Sequence, residues 1–142
     1  MKRPTVLGLI LTLFSSAGCL FGSTTAPVNY TIVNPVTEVF QGTLDAKGQA
    51  SYAFVTGNPD PLRITLASLT NADTGAVVTT TIKLDFGVND GTNCNSTFSV
   101  TTTAALVSQF FQVASAGSYC VVVSDPGTVT TSLKFAVRII HS

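Results

Sequence analysis

The side chains able to do chemistry are few: three cysteines (Cys19, Cys94 and Cys120), one histidine (His141) and seven carboxylates in a chain of 142 residues. Nucleophilic catalysis needs a serine, threonine or cysteine with a rigidly supported base beside it. The one histidine stands next to the last residue given, a poor position for such a base, so His141 is expected to be a bystander. Glu38, Asp45, Asp60, Asp73, Asp85, Asp90 and Asp125 form no paired-carboxylate motif. Most of them fall in stretches rich in Gly, Asn and Pro, where Asp is favoured because it bonds its own backbone. No catalytic residue is assigned, and the chain is expected not to be an enzyme.

Metal chemistry has one weak foothold. Asp85, Asn89, Asp90 and Asn93 gather oxygen-bearing side chains around Gly91, the raw material of a calcium site. The alternating spacing and the distal Glu of an EF-hand loop are missing, and the same residues are the commonest turn formers. An Asn-Asp-Gly turn is therefore the first reading, with calcium at those four residues the second. Two cysteines and a distant histidine cannot fill a tetrahedral zinc shell, and there is no C-x-x-C. No cofactor is expected.

The cysteines are better explained by the compartment. A basic start (Lys2, Arg3) precedes an apolar run over residues 5–14 and then the small residues Ser15, Ser16, Ala17 and Gly18. That is a signal-peptide layout, and the run is about half of the ~20 residues that span a bilayer. The expected organisation is a leader over 1–18, a Gly/Ser/Thr/Pro tether over 19–27 and one domain over 28–142. Three cysteines in an exported chain leave one without an internal partner. Cys94 and Cys120, with 25 residues between them, form the expected disulfide, which stabilises the fold by roughly 3 kcal/mol in the chain-entropy model.

Cys19 is then the odd one. Ser16-Ala17-Gly18-Cys19 resembles the lipobox of bacterial lipoproteins, departing from it at Ser16, where that family prefers Leu. The resemblance implies cleavage before Cys19, diacylation of its thiol and attachment to a cell-envelope membrane. Leu20 in place of an inner-membrane-retaining Asp implies the outer membrane if the source is diderm. The alternative is ordinary cleavage after Ala17, which would release a secreted or periplasmic soluble protein.

Composition narrows the partners. A formal net charge of zero and a pI near 6.5 leave no basic stripe to neutralise phosphates, so no nucleic acid is expected. With 45% hydrophobic and 10% charged residues, the chain is the reverse of a disordered one. Without the two basic residues of the leader, five positive and seven negative groups remain, a net charge of −2.

The elements that must position these residues are strands. Beyond the tether the apolar period is two, β-branched residues abound, and Gly, Asn, Asp and Pro cluster in the gaps. Strands are predicted over 29–33, 37–44, 50–56, 62–69, 79–86, 97–103, 107–114, 118–124 and 130–141, with a helical alternative only for 104–111. Leu62, Ile64 and Leu66 alternate with Arg63 and Thr65; Ile82, Leu84 and Phe86 with Lys83 and Asp85; Leu133, Phe135, Val137 and Ile139 with Lys134 and Arg138. One dry and one wet face per strand predicts an all-β fold, an antiparallel two-sheet β-sandwich. With eight or nine short strands it would be jelly-roll-like.

Several of these strands carry a family likeness. Val39-Phe40-Gln41-Gly42-Thr43-Leu44, Ser51-Tyr52-Ala53-Phe54, Leu62-Arg63-Ile64-Thr65-Leu66, Ala116-Gly117-Ser118-Tyr119-Cys120-Val121-Val122-Val123 and Phe135-Ala136-Val137 together resemble the bacterial pre-peptidase C-terminal domain. The resemblance runs from about Val36 to Ile140 and departs at Ser51, where that family usually has an acidic residue. It implies a small sandwich and an accessory role beside secreted enzymes.

Carbohydrate-binding surfaces usually stack sugars on exposed aromatic rings. This chain has no Trp and three tyrosines, Tyr30, Tyr52 and Tyr119, the last two in core phase. Of the adjacent Phe110 and Phe111, one must face outward from any strand. Threonine runs at 79–81 and 101–103 could present a flat hydroxylated face. The functional expectation is a cell-envelope lipoprotein whose non-catalytic module binds a protein or polysaccharide, anchored to the membrane through Cys19. The alternative is an accessory or carbohydrate-binding protein associated with a secreted hydrolase.

Overall fold

Two antiparallel four-stranded sheets face each other in the computed structural model, which describes residues 34–142. The strands are β1 (Val36–Leu44), β2 (Gln49–Thr56), β3 (Asp60–Asn71), β4 (Ile82–Asn89), β5 (Cys94–Thr102), β6 (Phe110–Ala114), β7 (Gly117–Ser124) and β8 (Leu133–His141). The first sheet runs β1-β8-β3-β6 and the second β2-β7-β4-β5. Strand one pairs with eight, two with seven, three with six and four with five. This is one long hairpin rolled up, the jelly roll. Its innermost turn, residues 90–93, joins β4 to β5.

Alternation places the core as the sequence reading expects. Leu62, Ile64 and Leu66 of β3, Leu84 and Phe86 of β4, Val121 and Val123 of β7, and Phe135, Val137 and Ile139 of β8 are all buried between the sheets. Each such side chain contributes roughly 1.5–3 kcal/mol relative to exposure. Tyr52 and Tyr119 fall in the core phase and pack on Phe40 and Phe86, with ring centroids 5.1 and 5.5 Å apart. Phe110 packs against the core and Phe111 faces out.

Loop chemistry moves several strand boundaries. The strand predicted from residue 107 begins at Phe110, and the residues before it are neither strand nor helix. The backbone N–H groups of Ala105 and Gln109 donate to the carbonyls of Leu66 and Ile64, and Gln109 Oε1 accepts from Leu66 N at 2.7 Å. A side-chain amide thus takes over where a strand partner would stand, and β3 carries a bulge between Leu66 and Ser68. β5 starts three residues earlier than predicted, at Cys94. The leader, Cys19, the tether, Tyr30 and the strand predicted over 29–33 lie outside the described residues.

Turns are fixed by carboxylates. Asp125 Oδ1 accepts from the N–H groups of Gly127, Thr128 and Val129 at 2.7–3.0 Å, while Oδ2 accepts from Lys47 N at 2.8 Å. The Lys47 bond and those within the turn hold its carboxyl at about 2, below the ordinary 3.8.

Candidate functional site

The β4–β5 tip is built by its own polar side chains. Asp90 Oδ1 accepts from Asn93 N at 2.7 Å and Thr92 N at 2.9 Å, and its Oδ2 accepts from Asn95 Nδ2 at 3.2 Å. Those bonds hold the Asp90 carboxyl below its usual range. Asn89 Oδ1 accepts from Gly91 N, and its Nδ2 donates to Ser118 Oγ, both at 3.2 Å. Two of the four sequence-predicted calcium candidates therefore spend their oxygens on the turn. Among the described residues no group of three or more His, Cys, Asp or Glu side chains is placed to hold a metal ion.

Cys94 and Cys120 form a disulfide. The bridge joins β5 to β7, which flank β4 on opposite sides. Strands two apart in a sheet ordinarily stand about 9.5 Å apart, yet the two Cα atoms are 5.7 Å apart. The start of β5 therefore curls over the outer face of β4, and the β4–β5 register shifts between Phe86 and Gly87 to allow it. Gly87 lies beneath the curl, where a Cβ would come within 2.0 Å of Asn95 O.

The curl makes a groove. Gln49 and Ser51 of β2, Val122 of β7, Asp85 of β4, Ser96 of β5 and Asn93 of the turn line a cavity of about 330 Å³. Ser51, Val122 and Asp85 are register neighbours across the sheet, so Val122 and Asp85, on the inner strands, form the floor. Asp85 was expected on a wet face but is only 5% exposed. Its Oδ2 is 3.1 Å from Lys83 Nζ, and its Oδ1, fully buried, has no hydrogen-bond partner. A period-two reading misses this because it treats every outward position as solvated. The signals that bear on it are Gly87 and the cysteine pair flanking β4.

A second polar cluster closes one end between the sheets. His141 Nε2 lies 2.7 Å from Glu38 Oε1, and the Tyr52 hydroxyl donates to Glu38 Oε2. Hydrogen bonding to Glu38, then burial, raises the Tyr52 phenol above its ordinary 10.0. His141 is 4% exposed, with its ring 5.5 Å from that of Phe54 and its Nδ1 3.2 Å from the Ser142 carbonyl. The arrangement pins β1, β2 and β8 together, so His141 is a strut of the fold. Glu38 was the readable signal, a carboxylate in phase with Phe40 on the apolar side of its strand.

On the outer face of the first sheet, Arg63 stacks 5.3 Å from the exposed Phe111 ring, near the exposed Leu106 and Val107. This is an apolar patch rimmed by Arg63 and Arg138.

No family model matches the chain, and no curated protein does. Among solved structures, the chain is similar to the Yersinia pseudotuberculosis-derived mitogen, with a TM-score of 0.48 and 14% identity over 76% of this chain and 87% of that one. It is also similar to a chain from the disulfide-linked pili of Bacillus endospore appendages, with a TM-score of 0.38 and 14% identity over 80% of this chain and 89% of that one. At that distance neither likeness bears on function. The disulfide itself points to an extracellular or periplasmic environment. No helix among the described residues is long and apolar enough to cross a membrane.

Proposed function

We propose that this chain is an exported lipoprotein of the bacterial cell envelope, whose jelly-roll domain is a non-catalytic binding module held to the membrane through Cys19. The observation that carries the reading is the Cys94–Cys120 bridge. It supports export and takes up two of three cysteines, leaving Cys19, in its lipobox-like setting, as the thiol available for acylation. Outer-membrane attachment follows if the source is diderm. The strand motifs resembling pre-peptidase C-terminal domains support an accessory role, since such modules accompany enzymes.

The anchor is tested by detergent-phase partitioning of the full chain and of Cys19→Ser, with a fatty-acid label. The parent should take up label and enter the detergent phase, and the variant should do neither. Equal partitioning of the two without label would overturn the anchor. A second reading, a carbohydrate-binding accessory to a secreted hydrolase, is favoured by the hydroxyl- and amide-lined groove on the second sheet.

A further inference from the structure

We propose that the outer face of the first sheet docks on a bilayer surface that carries anionic phospholipid. Leu106, Val107 and Phe111 enter the headgroup layer, and Arg63 and Arg138 meet the phosphates. This contact goes beyond the anchor at Cys19 and does not depend on it. Leu106 is 95% exposed and Val107 77%, beside the exposed Phe111, and with Arg63, Arg138 and Ile140 they line one cavity of about 480 Å³. Hydrogen bonds hold that tip in place. Ala105 N and Gln109 N, on either side of it, donate to the carbonyls of Leu66 and Ile64, and Ser108 Oγ lies 3.0 Å from Thr65 Oγ1. A loop tied to β3 at both ends thus keeps two apolar side chains out in water next to an aromatic ring, as an interaction surface does.

Charge selects the occupant. On the outward positions of β1, β3, β6 and β8 the charged side chains are Arg63, Lys134 and Arg138, whereas Glu38 and Asp60 of the same strands are in phase with the inward Phe40 and Leu62. Neither arginine pairs with a carboxylate among the described residues. The face is therefore basic on a chain whose net charge without the leader is −2. An anionic headgroup layer supplies the missing counter-charge, worth about fivefold in affinity for each basic side chain at its surface. Arg63, stacked 5.3 Å from the Phe111 ring, keeps its charge at the edge of the apolar patch, the pairing of basic and aromatic side chains that interfacial segments use. A second copy seated on the same face would bring the arginines of both copies together with no carboxylate between them. A bilayer also needs no shape match to a protruding tip, which a folded protein partner does.

The experiment is vesicle co-sedimentation of the full chain carrying Cys19→Ser, so that no acyl chain contributes and any pull from residues 1–18 is common to every variant. The vesicles are phosphatidylcholine alone, or phosphatidylcholine and phosphatidylglycerol in equal parts. The chain should bind the mixed vesicles, and less so as sodium chloride is raised. Leu106→Ser with Val107→Ser should weaken that binding by about tenfold or more through the apolar burial lost, and so should Arg63→Gln with Arg138→Gln. An unchanged thermal melt shows that each variant is folded. The chain has no Trp, so Leu106→Trp places a single reporter at the tip, and its emission should move to the blue on mixed vesicles. Equal binding to both kinds of vesicle, variants that bind as the parent does, or a Leu106→Trp emission that does not move would each overturn the proposal. Binding of soluble polyglutamate as tight as that of the vesicles would give the face to an acidic polypeptide instead, and dimers lost in Leu106→Ser would give it to a second copy. All of these results leave acylation of Cys19 standing, and a Cys19 without lipid leaves this face standing.

Discussion

At the residue scale, the polar groups that matter are those that tie distant parts of the chain together. Asp125 links the 125–129 turn to the 45–48 turn, and Asp125→Ala is expected to lower the melting temperature by several degrees at neutral pH. Because the folded carboxyl titrates at about 2 and the unfolded one near 3.8, its contribution is present above about pH 4 and is lost as pH falls towards 2. Melts of parent and variant across that window should therefore converge at the acid end. His141→Ala should cost about 3 kcal/mol by urea denaturation, from a lost bond to a carboxylate and a cavity beside Phe54. Asp125 was legible because Asp-Pro-Gly is turn chemistry that acts within four residues. Of the Glu38–His141 pair only Glu38 was legible, by its phase with Phe40; its partner lies 103 positions away, and no local pattern names it.

At the element scale, β5 decides the shape of the candidate site. Gly87→Ala would drive a methyl group into the Asn95 carbonyl, backbone that cannot move without unpairing the β4–β5 tip. The expected cost is about 3 kcal/mol, at the upper end for an inserted methyl group, measured by denaturant melts. Cys94→Ala with Cys120→Ala should cost a similar ~3 kcal/mol through the freedom that the unfolded chain gains once the loop is no longer closed, and the early part of β5 should lose amide-exchange protection before the core does. Strand identity was readable here from period two, but the curl was not. A bulge and a crossing bridge are events between strands, and alternation within one strand carries no record of its neighbours. The same blindness let residues 107–109 pass for strand, where a Gln109 side chain replaces the backbone partner.

At the scale of the whole molecule, the sandwich class followed from dry and wet faces on nearly every strand, and the eight described strands form it. The nested pairing of β1 with β8 and β2 with β7 rests on contacts between distant parts of the sequence, which no local pattern encodes. Its consequence is that Val36 and His141 stand side by side. β1 therefore begins at the end that the Glu38–Tyr52–His141 cluster closes. The groove lies instead on the outer face of the second sheet. An exported module with one acylated and two bridged cysteines is checked by an intact mass of the protein from the membrane fraction, alkylated without reduction. The predicted result is a chain beginning at Cys19 with a diacylglyceryl group and no alkylation at Cys94 or Cys120; a start at Gly18 without lipid, or an alkylated Cys94 or Cys120, would contradict it.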